Sequence, residues 1–525
     1  MTSAADMLAT GFATLPDLIG AHALERGDRT AIADTQGSID YRTLDATMDR
    51  VAAALQRDGV RPGDAVAIVA APTTDYTAAF LGAVRAGCVA TPIAPSATPA
   101  AIAAMIADSG APLVFLDAEN ARALEGQTFA ARPIMFSREG GSPNWAPAFA
   151  GKQAYEDWLA PEGAKPTPVQ IAPEDAFNII YSSGTTGTPK GIVQSHAMRW
   201  AHIARNTAAG FDTAVTMIAT PLYSNTTLVS FLPTLGWGGT VVMMKKFEAR
   251  AYLELAERYR ATHTMLVPVQ YQRIMALPDF DSFDLSAFRF KTSTSAPFSA
   301  ALKADVVERW PGLLVEFYGM TEGGASCALN ATANPSKLHT VGQPMAGHEI
   351  RLIDDDGNEV APGEMGEVVG RSPAMMNGYH GRADATRDAE WHDSAGNRYI
   401  RHGDVGRFDE DGFLTLMDRK KDLIISGGFN IYPSDLEAVL AQHPAVADCA
   451  VIGVPSDAWG ETPVGFYVPR DGTTEDVPAI LAWANAQLGK TQRLSALHVA
   501  DELPRSAIGK VLKRELRDRL TGVHA

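Results

Sequence analysis

The chain has 525 residues, of which 46% are hydrophobic and 20% charged, and its formal net charge is -16. This length exceeds what one hydrophobic core supports, so we expect a large domain built from subdomains and a second, smaller domain. The acidic balance argues against binding to nucleic acids or to anionic membranes. Three scattered cysteines, no secretory pattern and no apolar run near the roughly 20 residues that cross a bilayer predict a cytoplasmic protein without a transmembrane segment.

The first predicted elements alternate between strands and helices. Residues 65–69, 89–93 and 114–116 are apolar runs typical of buried strands, and residues 75–86 have helical spacing. Strand–helix–strand order with apolar strands predicts a parallel sheet covered on both faces. After a polar connection, strands are predicted at 217–220, 240–243, 264–267 and 288–292, followed by a helix at 300–310.

The pattern changes towards the C-terminus. Short strands and Asp/Gly turns between 347 and 412 indicate a small antiparallel subdomain, and a helix at 433–442 belongs to a compact remainder. We therefore predict an α/β fold with two domains. Residues 1–418 form a large domain of layered α/β subdomains and a small β subdomain, and residues 419–525 form a small, mobile α+β domain.

A glycine-rich stretch, YSSGTTGTPKG at 181–191, follows the apolar strand-like run 176–180. Its glycines let the backbone approach a ligand, while successive N–H groups and hydroxyl groups surround an anion with donors. A solvated turn is the alternative interpretation. The donors favour a polyphosphate, and the candidate ligands are Ser182, Ser183, Gly184, Thr185, Thr186 and Lys190.

The spacing of this loop differs from the P-loop, in which Gly-Lys-Ser/Thr follows a four-residue gap. It resembles the phosphate loop of the adenylate-forming superfamily, which includes acyl- and aryl-CoA synthetases, free-standing adenylation domains and beetle luciferases. The resemblance extends over roughly residues 15–520. It implies the same α/β fold and the use of ATP, Mg²⁺ and coenzyme A.

A second motif, YGMTE at 318–322, resembles the motif in which Thr contacts AMP and Glu contacts the metal. By this resemblance Thr321 binds AMP and Glu322 holds Mg²⁺, with Thr186 as a further catalytic and metal contact. A carboxylate is a suitable ligand because Mg²⁺ neutralises the phosphates. Further residues that the resemblance places against the nucleotide are Ser295, Ala296, Glu316, Phe317, Tyr318 and Gly319.

Further along the chain, the resemblance implies that Asp404 accepts the ribose hydroxyl groups and that Arg419 reaches the ribose or a phosphate. Lys421 occupies the hinge position, where backbone rotation changes the domain orientation. Lys510, in the segment 503–510, is the implied adenylation lysine. The alternative interpretation of these charges is a solvated surface.

Two substrate pockets are implied by the same resemblance. The coenzyme A candidates are Lys246, Gly427, Gly428 and Trp459, and the acyl-pocket candidates are Tyr223, Ser224, Asn225, Ser295 and Gly323. One aromatic ring and several polar groups favour an aryl, arylalkanoic or hydroxycinnamic acid. The alternative for Tyr223 and Asn225 is a packed core residue and a helix cap.

The reaction implied is an AMP-forming ligation of a carboxylic acid to coenzyme A through an acyl-adenylate. The small-molecule partners are thus the acid, ATP and coenzyme A; a homodimer is one option for the assembly. Three alternatives stay open: a medium- or long-chain fatty acid as substrate, a carrier protein as acyl acceptor, and a nucleotide-binding protein without catalysis.

Overall fold

The computed structural model describes residues 2–35, 37–136, 153–182, 190–204, 209–419, 422–426, 429–456, 459–470, 472–473, 476–488, 493–506 and 509–521. The side chains of residues 182, 418, 419, 429, 430 and 521 also lie outside this description.

Helices alternate with strands over much of the chain. The helices are α1 (Ala4–Leu8), α2 (Leu15–Glu25), α3 (Tyr41–Arg57), α4 (Thr74–Arg85), α5 (Pro99–Ser109), α6 (Ala118–Ala123), α7 (Tyr155–Trp158), α8 (His196–Ala204), α9 (Asn225–Gly236), α10 (Ala249–Arg258), α11 (Pro268–Met275), α12 (Ala300–Arg309), α13 (Ala383–Asp388), α14 (Pro433–Leu440), α15 (Val477–Gln487) and α16 (Lys513–Thr521).

The strands up to the middle of the chain are β1 (Thr30–Asp34), β2 (Gly37–Asp40), β3 (Ala65–Val69), β4 (Val89–Pro92), β5 (Leu113–Leu116), β6 (Arg132–Met135), β7 (Gln153–Ala154), β8 (Ala176–Ser182), β9 (Lys190–Ser195), β10 (Val215–Ile218), β11 (Thr240–Met243), β12 (His263–Leu266) and β13 (Phe290–Ser293). The later strands are β14 (Leu313–Met320), β15 (Gly323–Asn330), β16 (Gln343–Pro344), β17 (Glu349–Ile353), β18 (Gly366–Arg371), β19 (Gly378–Tyr379), β20 (Glu390–His392), β21 (Arg398–Phe408), β22 (Leu414–Arg419), β23 (Ile424–Ser426), β24 (Phe429–Ile431), β25 (Val446–Ser456), β26 (Gly460–Pro469) and β27 (Ala496–Val499).

Two large sheets form the first part of the molecule. One has the strand order β19-β9-β8-β4-β3-β5-β6-β7, and the other has the order β16-β15-β14-β13-β12-β10-β11-β1-β2. The middle strands of each sheet are parallel, whereas β8–β9, β9–β19, β14–β15 and β15–β16 pair antiparallel. Both sheets are therefore parallel in their middle. The antiparallel pair β8–β9 flanks the predicted phosphate loop, and the antiparallel pair β14–β15 flanks the turn of the YGMTE motif.

The main hydrophobic core joins these two sheets. It contains buried residues of β3, a strand of the eight-stranded sheet, and of β11, a strand of the nine-stranded sheet. Residues of helices α2, α3, α4 and α9 complete it. These helices lie between the sheets, and burial of their apolar side chains is the main source of stability.

Polar caps fix where the helices begin. The Thr73 side chain accepts a hydrogen bond from the Tyr76 N–H group at the start of α4, and Ser299 accepts from the Leu302 N–H group at the start of α12. Ser224 caps α9 in the same way, by accepting from the Thr226 N–H group. Such caps satisfy N–H groups that have no partner within the helix.

Two smaller sheets complete the fold. Strands β17, β18, β20, β21 and β22 form an antiparallel sheet, and β23 to β27 form the sheet of the C-terminal part, with α14 and α15 in its core. The predicted α/β fold with a small β subdomain and a smaller C-terminal unit is confirmed. The boundary at 418/419 stays a prediction. Among the described residues, no helix is long and apolar enough to cross a membrane.

Candidate functional site

The predicted phosphate loop connects two antiparallel strands. Ser182, at the end of β8, and Lys190, at the start of β9, are paired across the ladder, so the loop leaves and returns at one point. The side chain of Ser182 and the whole of the candidates Ser183, Gly184, Thr185 and Thr186 lie outside the described residues. Their roles therefore stay predictions.

Glu322 lies in the turn between β14 and β15. Its backbone carbonyl accepts a hydrogen bond from the Met376 N–H group at 2.8 Å. The next residue, Gly323, has φ of 82°, and a Cβ atom there would lie 1.9 Å from the Ala374 carbonyl oxygen. Only glycine fits this close approach, so the turn that presents Glu322 is held against the segment 374–376. The predicted role of Gly323 in the acyl pocket stays untested.

A tyrosine that the sequence analysis did not select connects Glu322 with Lys190. The Tyr379 hydroxyl group donates to Glu322 Oε1 at 2.9 Å, and Lys190 Nζ lies 5.0 Å from the centre of the Tyr379 ring. Burial and the neighbouring Glu322 carboxylate raise the pKa of Tyr379 above its usual value, so the hydroxyl group stays protonated and donates. Strand β19 pairs with β9 and thereby fixes this contact.

Magnesium fits this arrangement. Mg²⁺ in nucleotide sites binds one or two carboxylates, with substrate phosphates and water as the other ligands. Glu322 is a partly exposed carboxylate near Lys190, at the end of the phosphate loop. The Tyr379 hydroxyl group bonds Oε1 of Glu322, so Oε2 of the same carboxylate is available to a metal. Within the described ranges no cluster of three His, Cys, Asp or Glu forms a separate metal cage.

The predicted ribose ligand Asp404 lies beside the YGMTE motif. The Tyr318 hydroxyl group donates to Asp404 Oδ2 at 2.7 Å, and His402 Nδ1 lies 3.0 Å from the same hydroxyl oxygen. Asp404 on β21 pairs with Arg419 on β22, which places both candidates at one position of the sheet. The Arg419 side chain and the hinge candidate Lys421 lie outside the described residues.

The side chain of Glu316 differs from what the resemblance implied. It is buried and forms an ion pair with Lys303 at 2.5 Å, and both side chains are less than 7% exposed. The carboxylate is thus turned to helix α12, and only the backbone of Glu316 is left for the nucleotide. Phe317 is half-buried and Gly319 is exposed, on the same strand.

The acyl-pocket candidates follow β10 and β13. Ser224 is buried and caps α9, so the alternative that Asn225 is the cap is wrong; Asn225 is the first residue of the helix. The Tyr223 hydroxyl group is hydrogen-bonded to Ser96, beyond β4, and burial raises the pKa of Tyr223. Tyr223 thus points to the other large sheet. Ser295 and the neighbouring Ala296 are half-buried.

A buried arginine lies behind Asn225, and the sequence analysis missed it. Arg199 on α8 is 1% exposed, and its guanidinium donates to Asn178 Oδ1 at 2.9 Å, to Asn225 Oδ1 at 2.7 Å and to Gln194 Oε1. Burial lowers the pKa of Arg199 to about 9, which leaves it charged at neutral pH. Gln194 Nε2 donates to the Thr321 carbonyl at 2.6 Å. A polar network therefore links the acyl candidates with the YGMTE turn.

The C-terminal lysine segment is a tight turn that contacts the large domain. The Ser506 N–H group donates to the Lys510 carbonyl and the Gly509 N–H group to the Ser506 carbonyl, both at 2.8 Å. Gly509 has φ of 76°, and a Cβ atom there would lie 2.8 Å from Val269 Cγ1. Val269 is on α11, directly after β12. The turn that carries Lys510 thus lies at the carboxyl edge of the nine-stranded sheet, where Ser295 also lies.

The coenzyme A candidates are at the surface where they are described. Lys246 is exposed in the turn after β11, and Trp459 is 61% exposed between β25 and β26. Gly427 and Gly428 lie outside the described residues. Ile425, two residues before them, is 55% exposed.

Comparison with known proteins identifies the family of the chain. The family model "AMP-binding enzyme" matches residues 20–380, and "AMP-binding enzyme C-terminal domain" matches residues 435–510. A feruloyl-CoA synthase from an Amycolatopsis species is 34% identical and covers 93% of this chain and 96% of its own length. An indoleacetate–CoA ligase from Aromatoleum aromaticum is 31% identical and covers 96% and 97%. Among solved structures, amide bond synthetase McbA from Marinactinospora thermotolerans has a TM-score of 0.82 at 30% identity, over 96% of this chain and 99% of that one.

Proposed function

The chain belongs to the AMP-binding enzyme family, and we propose that it joins an aryl, arylalkanoic or hydroxycinnamic acid to coenzyme A through an acyl-adenylate. The predicted class, an ATP-dependent adenylate-forming acid–CoA ligase, is confirmed. The observation that supports the proposal most is that Tyr379 contacts both Lys190, through its ring, and Glu322, through its hydroxyl group. These contacts bring the predicted phosphate-binding cation and the predicted metal carboxylate together at the end of the phosphate loop.

In the first half-reaction, a carboxylate oxygen of the acid attacks the α-phosphorus of ATP. The new bond is the acyl–phosphate bond, and the bond to pyrophosphate breaks. Lys190 neutralises phosphate charge, Asp404 accepts the ribose hydroxyl groups, and Lys510 bridges the entering carboxylate and the α-phosphate. Bound Mg²⁺ supplies further charge neutralisation at Glu322. No protein nucleophile is needed, so orientation and charge stabilisation provide the catalysis.

In the second half-reaction, the thiol of coenzyme A attacks the acyl carbonyl and AMP leaves. We propose that the unit 419–525 rotates about Lys421 between the two steps, so that Lys510 leaves and the glycine pair 427–428 faces the adenylate. Glycines leave room there for the narrow pantetheine arm. Lys246 and Trp459, both exposed, then contact the nucleotide part of coenzyme A.

The lining of the acyl pocket supports an aromatic, substituted acid. Ser224, Asn225 and Ser295 make the proposed pocket polar, and a long alkyl chain leaves the amide donor of Asn225 without a partner. A fatty acid needs an apolar tunnel instead. Aromatic acids with polar substituents match both the ring of Tyr223 and these side chains.

A thioester screen tests the proposal. The purified enzyme is incubated with ATP, Mg²⁺ and coenzyme A and with aryl, arylalkanoic, hydroxycinnamic and aliphatic acids of matched carbon number, and acyl-CoA is measured by mass. We expect the highest kcat/KM within the aromatic acids. A highest value for long aliphatic acids contradicts the substrate proposal, and acyl transfer only to a loaded carrier protein, or to an amine, contradicts the proposed acceptor.

The assembly and location are also part of the proposal. We propose a cytoplasmic enzyme with small-molecule partners only, and a homodimer as its assembly. Light scattering coupled to size-exclusion chromatography tests the dimer: a mass near 112 kDa is expected, twice the 55.9 kDa of one chain. A mass of one chain contradicts it.

A further inference from the structure

Asn225 presents a hydrogen-bond donor whose direction is fixed from behind. A guanidinium group has donors only, so the Asn225 atom that faces Arg199 Nη1 at 2.7 Å is the carbonyl oxygen Oδ1. Gln194 Nε2 lies 3.5 Å from the same oxygen. The amide group Nδ2 of Asn225 therefore points the other way. Asn225 is partly exposed, and Nδ2 has no partner among the described residues.

The other polar side chains of the predicted pocket are engaged with each other or with nearby groups. The hydroxyl groups of Thr226 and Ser295 form a hydrogen bond of 2.5 Å, and the Ser224 side chain accepts from a backbone N–H group. The hydroxyl group of Tyr223 is bonded to Ser96. Each of these hydroxyl groups is thus held by at least one hydrogen bond, whereas both N–H bonds of Asn225 Nδ2 are without an acceptor among the described residues.

Arg199 brings a charge that its described partners do not neutralise. They are the side-chain oxygens of Asn178, Asn225 and Gln194, and the ring of His202, whose Nδ1 lies 3.4 Å away; none is a carboxylate. A buried charge without a counter-ion is costly, and its field favours an electron-rich atom nearby. Asn225 contacts this charge directly through Oδ1, so the field adds to the attraction of its N–H group for an acceptor.

We propose that Asn225 Nδ2 donates a hydrogen bond to an acceptor oxygen on the acid, and that Arg199 is the residue that positions it. The enzyme then selects acids whose distal end carries an ether, hydroxyl or carbonyl oxygen over acids of the same shape with a hydrocarbon end. This inference rests on the proposed function for the place of the acyl pocket, and it defines the substrate further.

The test compares acids that differ only in the acceptor. We measure kcat/KM for 3- and 4-methoxycinnamate and for 3- and 4-ethylcinnamate by pyrophosphate release, because methoxy and ethyl groups have nearly the same shape. For the wild-type enzyme we expect the methoxy acid of at least one pair to be preferred by about tenfold or more, the value of one hydrogen bond. No preference at either ring position overturns the proposal.

Two substitutions of Asn225 then locate the donor. Asn225→Leu removes the amide, and Asn225→Asp keeps the oxygen that faces Arg199 but replaces Nδ2 by an oxygen. We expect both to reduce the methoxy-to-ethyl ratio to about one, through KM for the acid, while KM for ATP changes little. Gln487→Leu, an exposed amide at the end of α15, is the control and should keep the wild-type ratio. A wild-type ratio in Asn225→Leu overturns the proposal.

Arg199→Met tests the positioning role. Loss of the guanidinium lets the Asn225 amide turn, so the ratio should fall although Asn225 is intact. An unchanged ratio overturns the role of Arg199. Arg199→Lys keeps a cationic donor for Asn225 Oδ1 and should retain most of the preference, so a complete loss of the ratio in that variant also counts against positioning through this contact. If the enzyme activates only alkanoic acids, the aromatic part of the proposed function fails, and the same ratio is measured with ω-methoxy and ω-ethyl alkanoic acids.

Discussion

The hydroxyl groups of Ser295 and Thr226 lie 2.5 Å apart and connect the loop after β13 with the first turn of α9. Ser295 holds this contact with φ of 82°, a left-handed conformation that glycine adopts readily and other residues rarely do. The hydrogen bond therefore offsets backbone strain at the mouth of the predicted acyl pocket.

Two substitutions separate the strain from the hydrogen bond. Ser295→Ala keeps the Cβ atom and loses the hydroxyl group, whereas Ser295→Gly loses both. We expect Ser295→Gly to unfold with a free energy about 1 kcal/mol higher than that of Ser295→Ala, measured by urea denaturation. Equal free energies for the two variants are incompatible with strain at Ser295.

Tyr379→Phe removes one hydroxyl group and keeps the ring beside Lys190. The lost hydrogen bond goes to a charged group, Glu322, and such bonds contribute about 1.5–3 kcal/mol. We expect adenylation, followed by pyrophosphate release, to slow by about 10- to 100-fold and the Mg²⁺ concentration for half-maximal rate to rise. Tyr259→Phe, at the half-buried C-cap residue of α10, is the control. A wild-type Mg²⁺ dependence in Tyr379→Phe contradicts a role beside the metal carboxylate.

Strands were predicted correctly from the sequence where a local pattern of apolar and turn residues determines them. Runs 65–69 and 240–243 match β3 and β11 because each is a short apolar stretch between turn residues. Strand β9 was not predicted, since Lys190–Ser195 is ordered as a strand by pairing with β8 and β19 and not by its own composition. Glu322 was identified in a different way, by the resemblance of the contiguous motif YGMTE to that of a known family.

The residues missed at the site depend on distant contacts. Tyr379 meets Glu322 across 57 positions of sequence, and Arg199 meets Asn225 across 26. A signal for Arg199 existed in the sequence, because a charged residue stands between apolar Met198 and Trp200 on a buried helix. Nothing local distinguishes Tyr379 from a surface tyrosine, and its partner is set by the pairing of β19 with β9.

Gly509→Ala tests whether the docked turn is needed for adenylation. An alanine there is strained at φ of 76° and its Cβ atom meets Val269 Cγ1 at 2.8 Å, so the turn should move away from α11. We expect slower formation of acyl-AMP but nearly unchanged transfer from supplied acyl-AMP to coenzyme A. Val269→Ala in the same chain removes the clash and should restore part of the adenylation rate. Equal losses in both steps, without rescue, count against this docking.

The stability of the protein should fall as the solution is acidified below about pH 6.5. His196 is 3% exposed, and burial lowers its pKa to about 4, from 6.5. Between these values the unfolded chain binds a proton that the folded chain does not, so stability rises with pH through this window and is lost as pH falls. The shift corresponds to about 3 kcal/mol for this one group.

Urea denaturation at several pH values measures this effect. We expect His196→Leu to show a smaller loss of unfolding free energy between pH 6.5 and pH 4 than the wild-type protein. Since other groups also titrate there, the comparison is of slopes and not of absolute stability. Parallel slopes in the two proteins contradict a buried, neutral His196.

The most direct test of the two-step ligase is Lys510→Ala with the half-reactions measured separately by rapid quench. Lys510 belongs to the segment beyond the proposed hinge. Removal of one preorganised hydrogen-bond donor that stabilises charge in a transition state typically lowers the rate by about 10²–10³. We expect acyl-AMP synthesis to slow by about that factor, while supplied acyl-AMP is converted to the coenzyme A thioester at nearly the wild-type rate. Equal losses in both half-reactions contradict the account, because Lys510 then acts outside the adenylation step.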